Sequence, residues 1–149
     1  MALNAQITLS ILAHETSSGD LSRTLRATPA NYALSLGDGT GANQAQVVWS
    51  DSRTVSGPSE TLTLSSLTDT RDGASVSVAL TAVKVAYIRN AHATTALTVA
   101  GGPFGSGYTL PAGAAAVHAD PSAGGLAATA VTVTGAAYDI VLIGEGTVT

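Results

Sequence analysis

Along this chain, apolar and polar positions alternate with a period of two, and the clearest case comes first. Leu3, Ala5, Ile7, Leu9 and Ile11 fall on one parity, with Asn4, Gln6, Thr8 and Ser10 between them. Successive side chains of a strand point to opposite faces, so this pattern predicts a strand with one apolar and one polar face. Residues 14–20 are polar, include Gly19 and read as a loop. Residues 21–27 suit a further strand, which Pro29 ends or confines to an edge, because proline cannot donate to a ladder. Tyr32, Leu34 and Leu36 make the next alternating run, and Asp38-Gly39 is a strong turn signal.

The rest of the chain repeats this pattern in short pieces. Residues 46–55 read as a strand that ends at Gly57-Pro58, and Leu62 and Leu64 point inward from the next one. Residues 66–73 are rich in turn formers. Residues 74–88 form the longest apolar stretch. Val76, Val78 and Leu80 share one parity there, and Val83, Val85 and Tyr87 share the other. A parity switch between Leu80 and Val83 requires a bulge, a bend or one short helical turn. Leu97 and Val99 precede a break at Gly101-Gly102-Pro103, and residues 108–110 precede a turn at Pro111-Ala112-Gly113. Residues 115–118 read as a strand and residues 120–125 as a loop. Val131 and Val133 mark the penultimate strand, and residues 138–143 form the last, which Gly144 stops. About eight to ten short strands separated by turn signals, with no long amphipathic pattern, predict an all-β fold. The expected architecture is a β-sandwich of jelly-roll type with little or no helix, in one domain spanning residues 1–149. Residues 1–12 are either its first edge strand or an N-terminal arm that packs on a neighbour.

Composition sharpens this picture. The chain has 149 residues, enough for one domain with its own core. Hydrophobic residues make up 45%, but charged residues only 11%, about half the usual share. From residue 94 to the end the only formal charges are Asp120, Asp139 and Glu145. Sparse charge suits either a sandwich wetted by Ser and Thr or a surface buried against neighbours, since interface cores are depleted in charge. The net charge is −4, and the six basic residues are scattered, so no stripe exists to neutralise a phosphate backbone and nucleic acid is not an expected partner. No cysteine is present, which excludes disulfides and thiolate metal sites. No stretch approaches the roughly 20 apolar residues of a membrane-spanning helix, and no membrane partner is expected. Residues 1–12 lack the basic start and solid apolar run of a secretory leader, so folding in a cytoplasm is the simplest expectation.

Candidate chemistry is thin. His14, His92 and His118 have no metal-ligand spacing, and Asp38 lacks the further ligands of a calcium loop. Asp69 and Asp72 read as turn residues that bond their own backbone. Gly105-Ser106-Gly107 is too short for a nucleophile elbow, and Glu15, Glu60 and Glu145 read as solvated. No catalytic residue, metal site or cofactor is therefore expected. Among the aromatics, Tyr87 and Tyr138 sit in the most apolar strands and suit the core. Trp49 is either a core anchor or an interface hot spot, a role in which Trp is enriched. Residues 104–108, with Phe104 and Tyr108, read as an exposed loop. The candidate interface is thus Trp49, Phe104 and Tyr108, with Leu3, Ile7 and Leu9 from the N-terminal segment.

Several strand-and-turn motifs carry a resemblance. They are residues 83–90 (VKVAYIRN) with residues 97–102 (LTVAGG), Leu62-Thr63-Leu64 with Leu67-Thr68-Asp69, Leu110-Pro111-Ala112-Gly113, and the closing residues 138–144 (YDIVLIG). Over about two thirds of the chain they resemble the small head decoration, or cement, proteins of tailed bacteriophages. The resemblance implies a non-enzymatic virion protein that folds in the host cytoplasm, binds the major capsid protein on the outside of the head and stabilises the shell. It implies no catalytic residues. A homo-oligomer, dimer or trimer, fits such a role. The alternative expectation is a tail or fibre module that recognises a host-surface carbohydrate or another virion protein through exposed aromatics. A hydrolase on a β-scaffold ranks behind both.

Overall fold

The computed structural model describes residues 2–11, 13–17, 23–26, 30–71 and 73–149. The strands are β1 (Ala5–Ile11), β2 (His14–Ser17), β3 (Arg23–Arg26), β4 (Ala30–Asp38), β5 (Gln44–Ala45), β6 (Val47–Thr54), β7 (Glu60–Leu62), β8 (Leu67–Arg71), β9 (Ala74–Asn90) and β10 (Leu97–Gly101). They continue as β11 (Tyr108–Leu110), β12 (Ala115–Ala119), β13 (Leu126–Ala127), β14 (Val131–Thr134) and β15 (Ala137–Val148). Among the described residues the one helical element is a 3₁₀ turn, Gly102–Phe104. The chain is all-β, as its alternation predicts.

Two sheets make the sandwich. One has the order β12-β9-β15-β6, with β8 and β13 also pairing β9, and the other has the order β11-β10-β14-β7. Most successive strands alternate between the two sheets, and a nested pattern results. Numbering only β6, β7, β9, β10, β11, β12, β14 and β15, the first pairs the eighth, the second the seventh, the third the sixth and the fourth the fifth. The third also pairs the eighth, and the fourth the seventh. Inward-facing side chains of both sheets form the main core. Trp49, Leu80, Ile88, Tyr138, Ile140 and Leu142 come from the first sheet, and Leu62, Leu97, Val99, Val131 and Val133 from the second. Fully burying such a side chain is worth about 1.5–3 kcal/mol.

Part of the outer face of the β12-β9-β15-β6 sheet is apolar as well. Val85 and Ile143 point away from the main core and join a second cluster with Leu34, Leu36 and Ala45, against which Leu3, Ala5 and Ile7 pack. The cover is a ribbon of β1 and β4, antiparallel from Ala5↔Leu36 to Ile11↔Ala30. The β2–β3 pair, from His14↔Arg26 to Ser17↔Arg23, continues that hairpin. β1 therefore belongs to neither sandwich sheet.

Three local expectations change. Residues 14–17, read as loop, are strand β2, and residues 67–71, read as turn, are strand β8, hairpinned to β9 from Leu67↔Val78 to Arg71↔Ala74. In both, the strand pairs with the one that follows it in sequence. The last strand does not stop at Gly144 but runs on to Val148. It passes two irregularities, between Ile143 and Gly144 and between Glu145 and Gly146, where β9 carries the extra residues Lys84 and Thr81. A Cβ at Gly144 would lie 2.0 Å from the Ala82 carbonyl oxygen, and one at Gly146 the same distance from that of Ala79. Glycine here admits the bulged partner rather than ending the strand. The bulge at Thr81 makes the predicted parity switch, bringing Val83 inward after Leu80. The second, at Lys84, reverses it, so Ala86 and Ile88 face the main core while Val85 faces outward. Leu21, Pro29 and Asp72 lie outside the described residues.

Candidate interaction surfaces

Lys84 is the most unusual side chain in the molecule, a fully buried ammonium in the middle of the longest strand. As the bulged residue it has no register partner, sitting between Val85, opposite Ala119, and Val83, opposite Leu126. Residues 120–125 bridge that interval and wrap the ammonium. Lys84 Nζ donates to the carbonyls of Ser122 at 2.6 Å and Ala123 at 2.8 Å, and it pairs with Glu145 Oε1 at 2.8 Å. Two carbonyls accept hydrogen bonds and the carboxylate balances the charge, so the buried ammonium is paired. Asp120 N donates back to the Lys84 carbonyl at 2.9 Å, and Pro121 O accepts from Asn43 N at 2.8 Å. Hydrogen bonds from Ser122 hold the Asp120 carboxyl below its ordinary range. The arrangement clamps a loop to the sheet and leaves the lysine no approach for a substrate.

A second polar group closes the sandwich beside β6 and β7. Arg53 Nε donates to Glu60 Oε1 at 2.7 Å, Nη2 bonds the same oxygen, and Nη1 reaches Asp51 Oδ2 at 2.9 Å. The buried Tyr138 hydroxyl donates to Glu60 Oε2 at 3.0 Å. Burial, followed by this bond, raises the tyrosine above its ordinary value. Next to it a shallow recess of about 220 Å³ is lined by Arg53, Thr61, Ser66 and Thr68 with the edge of Trp49. Asn90, also buried, gives its amide to the carbonyls of Thr95, Leu110 and Pro111 and thereby ties two segments together.

The six candidate interface residues separate into two groups. Trp49, read as either a core anchor or an interface hot spot, and Phe104, read as part of an exposed loop, lie in the main core with 1% and 2% of their surface exposed. Trp49 spends its indole N–H on the Thr68 carbonyl at 3.0 Å. Phe104 is drawn inward by the 3₁₀ turn that Gly102 and Pro103 set. Tyr108 is half-buried. It stacks on His118 with ring centroids 5.4 Å apart, and Phe104 meets both rings edge-on. Its hydroxyl is buried without a hydrogen-bond partner among the described residues, and desolvation raises its pKa. The exposed part of the expected loop is Gly105 and Ser106.

Leu3 and Ile7 are half-buried against the outer sheet face, while Leu9 is exposed. Sequence reading missed two residues of the same surface, Ile11 and Tyr32, although their parity places them on Leu9's face. The signal for Lys84 was also present, as the one charge inside residues 74–88. His92 caps its own loop, its Nδ1 accepting from Thr95 N at 3.0 Å. Asp38 accepts from Leu3 N, and Asp69 from the next backbone N–H. Among the described residues no three His, Asp or Glu side chains converge on one point, and no helix is long and apolar enough to cross a membrane. Comparisons with protein-family models, with characterised proteins and with solved structures give no match to this chain.

Proposed function

We propose that this protein is a non-enzymatic virion component that binds the outer surface of a phage head, through the major capsid protein, and stabilises the shell. The observation that carries this reading is the strand order. The paths β12-β9-β15-β6 and β11-β10-β14-β7, with first-to-eighth and second-to-seventh pairing, support a jelly-roll reading, an architecture frequent in viral shell proteins. The added β1–β4 ribbon lies outside that sandwich and carries no charge over residues 1–13 or 27–37. An uncharged ribbon with open backbone groups suits pairing with a strand of another protein. The strand-and-turn motifs that resemble cement proteins point the same way. The carbohydrate-binding alternative loses its stacking platform with Trp49 and Phe104 inside the core.

Co-sedimentation of the purified protein with undecorated heads of the phage that encodes it tests the proposal. Saturable binding at a fixed copy number, with the shell melting at a higher temperature, is the expected result. Heads that sediment without the protein at every concentration overturn it.

A further inference from the structure

The β1–β4 ribbon presents one apolar face in which Ala5, Ile7 and Leu9 align with Leu36, Leu34 and Tyr32, and Ile11 follows on the same side. Only the first half of that face is used within the chain. Ile7 and Leu34 rest on the outer sheet, whereas Leu9, Ile11 and Tyr32 keep 51%, 56% and 43% of their surface exposed. Exposed large apolar side chains in a contiguous group mark interaction sites. A second observation concerns the backbone. β1 is the outer strand of its sheet, so one edge of seven residues pairs with no strand among the described residues. Folded proteins blunt such an edge with charge, proline or brevity, and residues 1–13 contain neither charge nor proline. The far edge of β4 is less free, since β5 pairs with it at Gly37 and Asp38 and Pro29 lacks a donor just before it.

We infer that the open edge of β1 pairs antiparallel with the same edge of a second copy, forming a two-fold dimer centred on Thr8. A two-fold axis perpendicular to the ribbon keeps both apolar faces on one side, which preserves the alternation. Centring on Thr8, the midpoint of β1, sets Ile7 opposite the second copy's Leu9 and Ala5 opposite its Ile11. The projecting half of each ribbon then runs beside the seated half of the other, which covers the apolar side chains left open in a single copy. The remaining cross-strand pairs are Gln6 with Ser10 and Thr8 with itself, all uncharged. Identical charged edges would repel one another, whereas this edge is compatible with itself. One strand edge and three apolar residues per copy are small beside the roughly 1,200–2,000 Å² of a stable interface, so the dimer depends on concentration. This inference concerns the free protein, in which the second copy occupies the edge that a capsid strand would otherwise take.

Sedimentation velocity of the purified protein across a concentration series, with no capsids present, is the first readout. The mass is expected to rise from 14.7 kDa to twice that. Thr8 is exposed, so Thr8→Lys should melt like the wild type while weakening the dimer by about fivefold or more, because it sets like charges opposite each other. The chain has no cysteine, so Thr8→Cys gives a clean second readout. Cross-strand Cα atoms about 4.5–5.5 Å apart lie within disulfide range, and Thr8→Cys should oxidise to a covalent dimer. Ala33→Cys, its register neighbour on β4, should not. A wild type that stays monomeric at every concentration overturns the inference. So does a three-copy mass, or cross-linking through Ala33→Cys in place of Thr8→Cys. Failure here leaves the capsid proposal to the co-sedimentation result, and failure there leaves the dimer to sedimentation velocity.

Discussion

Single side chains decide more in this molecule than its plain composition suggests. Gly144 faces the backbone of β9 so closely that a Cβ would lie 2.0 Å from the Ala82 carbonyl oxygen. Backbone cannot swing aside like a side chain, so Gly144→Ala should cost about 3 kcal/mol, visible as a lower urea midpoint. Gly37→Ala, with nothing within 4 Å of its Cβ, should stay within about 0.5 kcal/mol of the wild type. Trp49 is the one tryptophan, and its burial makes it a reporter. Its emission should be blue-shifted and insensitive to an added quencher until the protein unfolds, and red-shifted, quenchable emission from the native protein would place it at a surface. Tyr138 supplies a pH dependence. Its folded pKa lies above the unfolded value near 10, so the native state holds the phenol neutral where the unfolded chain has ionised. Stability is therefore intact below about pH 10 and falls as pH rises toward the folded value. Tyr138→Phe should flatten that alkaline decline while lowering stability at neutral pH, because Glu60 loses a donor.

At the level of strands, the two bulges of β9 organise the molecule. They turn one long strand so that it serves two cores, and they create the interval that residues 120–125 fill. Lys84 holds that loop, so Lys84→Met should cost about 3–5 kcal/mol, the range for breaking a buried ion pair. Hydrogen exchange should speed up at Asp120 N, whose acceptor is the Lys84 carbonyl. Replacing Glu145 with leucine in the same variant should recover part of the loss, because the pair's desolvation cost disappears with it. These strands also mark where sequence reading succeeds and where it stops. Alternation in residues 3–11, 32–36 and 138–143 identified strands correctly, because burial on one face imposes a period of two. The switch between Leu80 and Val83 showed in the pattern because a bulge must move every later residue to the other face. Its reversal at Lys84 did not, because Val85 is as apolar as the inward residues and both faces of the sheet are buried at this point. Gly144 read as a stop because a glycine's role depends on its cross-strand neighbour, which local sequence does not contain. Trp49 could not be assigned to core or surface from pattern alone, since an aromatic suits either, and Phe104 read as exposed because the glycines around it resemble a loop.

Taken whole, the molecule is a central sheet with a core on each side, and the two cores differ in kind. The main core joins two full sheets and includes the largest buried side chains, Trp49 and Tyr138. The outer one is a cluster of Leu34, Leu36, Ala45, Val85 and Ile143 beneath a two-stranded ribbon. Two strands alone are marginal in water, so the ribbon's order rests on that cluster and on anything that pairs with its open edge. The ribbon should therefore open as a unit at a lower free energy than the sandwich, as local units of a fold often do. Native-state hydrogen exchange tests this. Protected amides of β1 and β4 should share one opening free energy below that of β9, β10 and β14. Leu36→Ala, at about 2–4 kcal/mol, should drain protection from the ribbon while leaving β10 and β14 nearly as slow as before. Leu97→Ala, of similar size in the main core, should speed exchange in all of them together, because the ribbon has nothing to rest on once the central sheet melts. A ribbon that exchanges only with the sandwich would show that the two cores form one cooperative unit.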